Sequence, residues 1–134
     1  MIKLSKKGDY AIKSIIYLAK NQNNILKISD ISSELKISEA FLRRIINDFE
    51  KSGILKTIKG RNGGVTFHRE LKEINLYDIL NIIGEDLNIS DCTAGHNCSM
   101  QDVCVTTDVF KGLQKGFNGI LRLYTLDKIV KNDN

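Results

Sequence analysis

Residues 38–69 read SEAFLRRIINDFEKSGILKTIKGRNGGVTFHR, and this stretch decides the fold. Its first half predicts a helix that Ser38 caps and that stops at Ser52-Gly53, where glycine supplies the left-handed conformation that ends many helices. Four apolar side chains fall on one side of this helix: Leu42, Ile45, Ile46 and Phe49. The other side carries small, cationic and hydrogen-bonding residues: Ala40, Arg43, Arg44, Asn47 and Lys51. Since arginine can hold guanine and asparagine can hold adenine, this face suits the DNA major groove, with a solvated helix surface as the alternative.

The second half of the stretch predicts a β-hairpin. Two short β-rich runs, 54–58 and 65–68, are joined by the glycine-rich stretch 59–64, which we expect to form a flexible cationic tip. Residues 54–69 contain no acid and four basic side chains: Lys56, Lys59, Arg61 and Arg69. Such a hairpin suits contact with phosphates, or insertion of Arg61 into a minor groove.

Two more helices are predicted upstream. Apolar residues recur at helical spacing over about 6–21, and after a polar break Ser29 is positioned to cap a second helix that ends near Lys36. A short turn then leads into the longer and more basic helix, as in a helix-turn-helix. A helix-turn-helix followed at once by a basic hairpin predicts a winged helix-turn-helix domain, which we place at residues 1–84.

A long helix is predicted over about 105–124. Its apolar stripe consists of Val109, Phe110, Leu113, Phe117, Ile120, Leu121 and Tyr124. Three glycines lie along one flank: Gly112, Gly116 and Gly119. Because each interior glycine costs about 1 kcal/mol of helix propensity, we expect close approach by a second copy of the chain, although a plain core helix is the alternative.

Shorter helices are predicted on either side of the long one. Asn75 and Asp78 have the spacing of a capping box for a short helix that ends at Gly84. Thr125 is positioned to cap a final helix that folds back. We therefore expect residues 105–134 to form a dimerisation helix and a C-terminal helix.

Length and charge divide the chain into unlike parts. The 134 residues can form one domain with an extension, mainly α-helical with one small β-hairpin. The net charge of +4 combines 14 basic and 6 acidic residues over 1–69 with 6 basic and 10 acidic residues over 70–134. Clustered cations favour double-stranded DNA as the partner of the first part.

Two classes of protein are not expected. The sequence has neither a nucleophile-base-orienter set nor a phosphate-binding glycine motif, so we do not expect an enzyme. The longest apolar run is the five residues 15–19, and no signal peptide is recognisable. We therefore expect a cytoplasmic protein without a membrane partner.

The cysteines suggest a metal site at residues 85–104. Cys92, Cys98 and Cys104 are evenly spaced in a polar segment, more widely than the paired ligands of most structural zinc sites. Thiolates suit iron-sulfur clusters, and three of them leave one position for another ligand. A zinc-stabilised module and a thiol-based redox sensor without a cluster remain alternatives, although the neighbouring Asp91 and Asp102 do not favour an activated thiol.

These features together resemble the bacterial IscR/NsrR family of winged-helix iron-sulfur regulators over nearly the whole chain. The resemblance rests on Lys-Gly-Asp-Tyr-Ala at 7–11, the helix-turn-helix, the wing sequence at 59–64, the cysteine triplet, and Tyr-Thr-Leu at 124–126. It implies a homodimeric DNA-binding transcription regulator, a repressor or a dual regulator, that senses nitric oxide, redox state or iron-sulfur status. It also implies that the three cysteines hold an Fe-S cluster.

The resemblance leaves the fourth ligand and the cluster type open. Members similar to IscR carry a histidine three residues after the third cysteine, where this chain has Thr107. Members similar to NsrR can use an aspartate of the first helix, reaching across the dimer to a 4Fe-4S cluster, and Asp9 occupies that place. His96 is the alternative to Asp9, followed by Asp108, and both 4Fe-4S and 2Fe-2S clusters stay possible.

The DNA contacts of the family can be assigned to this chain only in part. Members similar to IscR place an acidic base-reading residue where this chain has Arg43, so we expect a different target sequence. The residues expected to contact DNA are Ser38, Arg43, Arg44 and Asn47 in the major groove, and Lys59 and Arg61 at the wing.

Overall fold

Six helices and one hairpin make up the described part of the fold. The structure is a computed structural model that describes residues 3–90, 93 and 106–131. In chain order its elements are α1 (Lys6–Lys20), α2 (Ile28–Leu35), α3 (Glu39–Lys51), β1 (Leu55–Ile58), β2 (Gly64–Phe67), a 3₁₀ turn (Leu71–Glu73), α4 (Leu76–Ile82), α5 (Thr107–Leu123) and α6 (Leu126–Lys131). The predicted fold class, mainly helical with a helix-turn-helix and a wing, is confirmed.

The third helix and its turn are built as the sequence predicts. Ser38 caps α3, since its Oγ accepts a hydrogen bond from the backbone N–H of Phe41 at 3.2 Å. The turn between α2 and α3 passes through Lys36 in the left-handed conformation, with φ of 58°. Gly53 ends the helix region with φ of 85° and leads the chain into the hairpin. The buried side of α3 consists of Leu42, Ile45, Ile46 and Phe49.

The start of α2 differs from the prediction that Ser29 caps it. The helix begins at Ile28, after Lys27, and no side chain caps it. The cause is a long-range contact of the preceding residue. Leu26 is held extended by two backbone hydrogen bonds with Val65, of 3.2 and 2.7 Å. This bridge to the wing fixes where the chain can turn, so the helix begins earlier than local sequence suggests.

The wing is closely packed at the end of its loop. β1 and β2 pair antiparallel, with Ile58 opposite Gly64. A Cβ on Gly63 would overlap the carbonyl oxygen of Ile58, and a Cβ on Gly64 would overlap that of Leu26. These two glycines therefore allow close backbone contact. The sequence did not indicate this close packing at Gly63 and Gly64.

The C-terminal helix folds back onto the domain, as predicted. Leu126 is fully buried in the core, and its backbone N–H donates to the carbonyl oxygen of Ile74 at 2.9 Å. Thr125 donates a hydrogen bond of 2.5 Å to the Asp127 carboxylate, and this bond lowers the pKa of Asp127. α6 thereby packs against α1 and the 3₁₀ turn.

The longest helix, α5, joins the domain along one side only. It packs against α4, which Asn75 caps by accepting a hydrogen bond of 2.9 Å from the backbone N–H of Asp78. Leu121 of α5 packs against the core. Five apolar side chains on and just after α5 are between 53% and 65% exposed: Val109, Leu113, Ile120, Leu123 and Tyr124. None of the helices in the described ranges is both long and apolar enough to span a bilayer.

Candidate nucleic-acid interface

A groove between α3 and the wing collects most of the residues expected to contact DNA. It encloses about 670 Å³ and is bounded by α3, β1 and the first residue of α2. Its lining consists of Ile28, Arg43, Arg44, Ile46, Asn47, Glu50, Thr57 and Lys59. The helix presents its cationic side here because its apolar side is buried in the core. The structure therefore brings together four of the six expected residues.

The other two expected residues, Ser38 and Arg61, lie at the edges of this surface. Both are exposed. The Ser38 hydroxyl oxygen accepts the capping hydrogen bond, which leaves its hydrogen available to donate. Arg61 lies in the loop between β1 and β2, where a long cationic side chain can reach past the groove.

Two contacts fix α3 against α1. The Lys7 Nζ lies 2.9 Å from Asp48 Oδ2, which joins the first turn of α1 to the last turn of α3. The rings of Tyr10 and Phe41 meet edge to face, with centroids 5.5 Å apart and an interplanar angle of 81°. The position of α3, called the recognition helix because it carries most of the residues expected to contact DNA bases, therefore depends on α1.

One feature of the interface was missed by the sequence reasoning. The Arg43 Nη2 lies 2.7 Å from Glu39 Oε1, so the central arginine of the groove is paired with the first residue of α3. The signal was present in the sequence, since oppositely charged residues four apart on a helix are neighbours. Glu50, which the sequence reasoning also missed, places a carboxylate in the lining of the groove itself.

The structure describes one member of the expected ligand set. Cys92, Cys98, Cys104 and the alternative ligand His96 lie outside the described residues. Three thiolates and one carboxylate are chemically suited to an iron-sulfur group, because thiolates are soft ligands and the carboxylate is a weaker one. Asp9 is the carboxylate in question.

Asp9 lies in the first turn of α1, with its side chain 47% exposed. Its Oδ2 is 2.8 Å from the Lys13 Nζ, one turn along the helix. The hydrogen bond to Asp9, followed by the attraction between the two charges, raises the pKa of Lys13. The carboxylate is thus accessible from outside, and a metal bound to it would compete with Lys13 for its negative charge.

The entrance to the cysteine segment is fixed next to the same turn of α1. The Glu85 carboxylate accepts hydrogen bonds from the backbone N–H and the hydroxyl of Ser5, at 2.6 and 2.7 Å. Gly8 leaves room for this carboxylate, since a Cβ there would lie 2.8 Å from Glu85 Oε2. Further along, the Gln114 side chain of α5 donates to the Leu87 carbonyl oxygen at 2.8 Å. Residues preceding the cysteines are therefore held between α1 and α5.

Two residues just after the cysteine segment, Thr107 and Asp108, also bear on the fourth ligand of the expected cluster. Thr107 is the first residue of α5, and its side chain is buried. Asp108, the third candidate for the fourth ligand, is exposed in the first turn of the same helix.

A helix-turn-helix with an exposed cationic face, bordered by a hairpin, defines a DNA-binding regulator of the winged-helix class. Residues 4–132 match the Rrf2 family, described as iron-dependent transcriptional regulators. The chain belongs to the Rrf2 family of transcriptional regulators. The resemblance to IscR and NsrR regulators is thereby confirmed.

Individual relatives agree with this assignment. The chain is 30% identical over 136 residues to the HTH-type transcriptional regulator NsrR of Bacillus licheniformis, covering 99% of this chain and 95% of that protein. The structure of T. potens IscR superposes with a TM-score of 0.81 at 24% identity, over 99% of this chain and 89% of that one. CymR, the global cysteine regulator of B. subtilis, superposes with a TM-score of 0.85 at 20% identity over the full length of both chains. The two structural likenesses support the winged-helix fold.

Proposed function

We propose that this Rrf2-family regulator is a homodimer that binds a two-fold related DNA operator, with an affinity controlled by an Fe-S cluster. Cys92, Cys98 and Cys104 hold the cluster, and Asp9 is its fourth ligand, with His96 as the alternative. The signal is nitric oxide, redox state or iron-sulfur status. The observation that carries DNA recognition is the groove in which cationic and amide side chains of α3 face Lys59 of the wing.

The residues of this surface have different roles in DNA recognition. The exposed side of α3 enters the major groove, where Arg43 or Arg44 holds a guanine and Asn47 holds an adenine. Lys59 and Arg61 contact phosphates or the adjacent minor groove and fix the register of the protein on the duplex. The Ser38 hydroxyl donates to a phosphate oxygen at the start of α3.

The exposed apolar side of α5 is the proposed dimer interface. The helix has 17 residues and is about 25 Å long, enough for a second copy to cross it. A Cβ on Gly112, Gly116 or Gly119 would meet nothing within 4 Å. Glycines beside exposed apolar side chains would let the backbone of a second α5 come close. Covering this side of α5 would remove a large apolar patch from water.

Control of affinity acts through α1 in this proposal. When bound, the cluster supplies a site that reacts with nitric oxide or oxidants. Glu85 holds the start of the cysteine segment against Ser5, in the turn before Asp9. Lys7, in the same first turn of α1 as Asp9, pairs with Asp48 of α3. A change in what Asp9 binds therefore shifts α1, and with it the recognition helix. The division into 1–84, 85–104 and 105–134 follows these three tasks.

Metal analysis after anaerobic purification tests the proposal. We expect iron and acid-labile sulfide, and an absorption spectrum that changes on titration with nitric oxide, oxygen or a chelator. Zinc without sulfide would instead favour a zinc-stabilised DNA-binding module. If the protein contains neither iron nor zinc, the result would favour thiol-based redox sensing by the cysteines.

A further inference from the structure

We propose that Glu39 determines DNA specificity by positioning the guanidinium of Arg43 for one guanine. This inference rests on the proposed DNA binding and assigns a role to a residue outside the expected contacts. Glu39 is a positioning residue, since it acts on DNA through Arg43.

The geometry places the pair in the binding surface. Arg43 lines the groove between α3 and the wing, and its Nη2 lies 2.7 Å from Glu39 Oε1. The side chains of Arg43 and Glu39 are 60% and 45% exposed, so the pair is open to a duplex entering the groove. Glu39 is the first residue of α3, where the helix dipole favours a negative charge. The carboxylate therefore lies where the Arg43 guanidinium can reach it.

The pair restricts what Arg43 can do. One N–H of the guanidinium is occupied by the carboxylate, which leaves the other N–H groups of the planar fork for a partner with two acceptors. Guanine presents two acceptors, O6 and N7, in the major groove, whereas adenine presents one acceptor and one donor. A guanidinium held in this way selects guanine. A free one could also turn toward a phosphate and contribute affinity without selectivity.

Two other residues of α3, Arg44 and Glu50, provide controls for the Glu39–Arg43 pair. Arg44 lines the same groove and has no ion pair among the described residues, so it is the arginine expected to bind without such positioning. Glu50 also lines the groove. Replacing Glu50 by glutamine changes the net charge of α3 by as much as replacing Glu39 by glutamine, but leaves the Glu39–Arg43 pair intact. Glu50→Gln is therefore the matched control.

The test is selection from a randomised double-stranded DNA library, followed by affinity measurements on the selected duplex and its single-base-pair variants. The full-length protein is used in one defined metal state throughout. We expect Arg43→Ala to lose preference for guanine at one base pair by roughly tenfold. Glu39→Gln and Glu39→Ala should lose most of that preference at the same base pair. The double variant Glu39→Gln/Arg43→Ala should lose no more than Arg43→Ala, because residues that act as a unit are not additive. Glu50→Gln should strengthen binding to all duplexes alike.

The possible outcomes separate this inference from the proposed function. If the wild-type protein enriches no sequence, the proposed DNA recognition fails and the role of Glu39 fails with it. If the wild type enriches a sequence and the Glu39 variants keep the full preference at the Arg43 base pair, the positioning role alone is overturned. Loss of preference at a different base pair, additive with that of Arg43→Ala, would also overturn it.

Discussion

Gly63 shows how a single residue controls the shape of the wing. The chain returns so closely at this point that a Cβ would overlap the carbonyl oxygen of Ile58. The oxygen belongs to the backbone of the paired strand and cannot turn aside as a flexible side chain could. The glycines of the tip are evident in the sequence. The sequence does not show whether a glycine is needed for its backbone dihedral angles or for the space that a Cβ would fill.

The first prediction follows from this contact. Gly63→Ala should lower the free energy of unfolding by about 1 to 3 kcal/mol, the usual cost of overpacking, and should weaken binding to all DNA sequences alike. Chemical denaturation measures the first effect. Asn62→Ala, at the exposed neighbouring position, is the control and should be nearly neutral. Equal stability of the two variants would show that the wing opens at no cost.

The second prediction separates base readers from phosphate contacts. Arg43→Ala should cost roughly 1 to 3 kcal/mol at one base pair and relax specificity there. Lys59→Ala should weaken binding to all sequences and reduce the dependence of log K on log salt by about one unit. Affinities at several salt concentrations, on the selected operator and on a scrambled duplex, distinguish the two. A salt-independent, sequence-specific loss for Lys59→Ala would reverse the assigned roles.

At the scale of elements, the sequence predicted the helices and strands well wherever local signals decide them. The period of apolar residues located α3, and the predicted caps at Ser38 and Asn75 are confirmed. The predicted start of α2 was wrong because Leu26 forms a β-bridge with Val65, far along the chain. Such a bridge leaves no mark on helical periodicity. The groove could be predicted from its elements, and the Glu39–Arg43 pair from its four-residue spacing, but the place of Glu50 in the groove lining required the structure.

The third prediction concerns the exposed side of α5. In an isolated chain, Gly116→Ala should stabilise the helix by about 1 kcal/mol, because a Cβ there meets no other atom. If a second copy packs closely on this flank, the same substitution should weaken the dimer by about 1 to 3 kcal/mol. We expect weakening, measured by sedimentation over a range of concentrations. Lys115→Ala, which lies away from the apolar stripe, is the control. An unchanged or stronger dimer in Gly116→Ala would place the interface elsewhere.

At the scale of the whole molecule, contacts between distant parts of the chain connect Glu85, where the cysteine segment begins, to α1 and α3. Glu85 and Ser5 are 80 residues apart in sequence, and their hydrogen bond brings the start of the segment to α1. From α1, the Lys7–Asp48 pair reaches the recognition helix. The spacing of the cysteines predicted a donor set. It could not predict this route, because a contact over such a separation depends on the packing of several elements.

Control of operator affinity by the cluster is tested by a comparison of the wild type with Cys98→Ala. Operator binding is measured anaerobically for the cluster-loaded wild-type protein and for the variant, on the same duplex and at the same salt concentration. We expect that Cys98→Ala holds no cluster and that its operator affinity differs by roughly five- to 150-fold from that of the loaded wild type, the usual range of coupling between two sites. Equal affinity of the cluster-loaded wild type and the cluster-free variant would show that the cluster does not control operator binding.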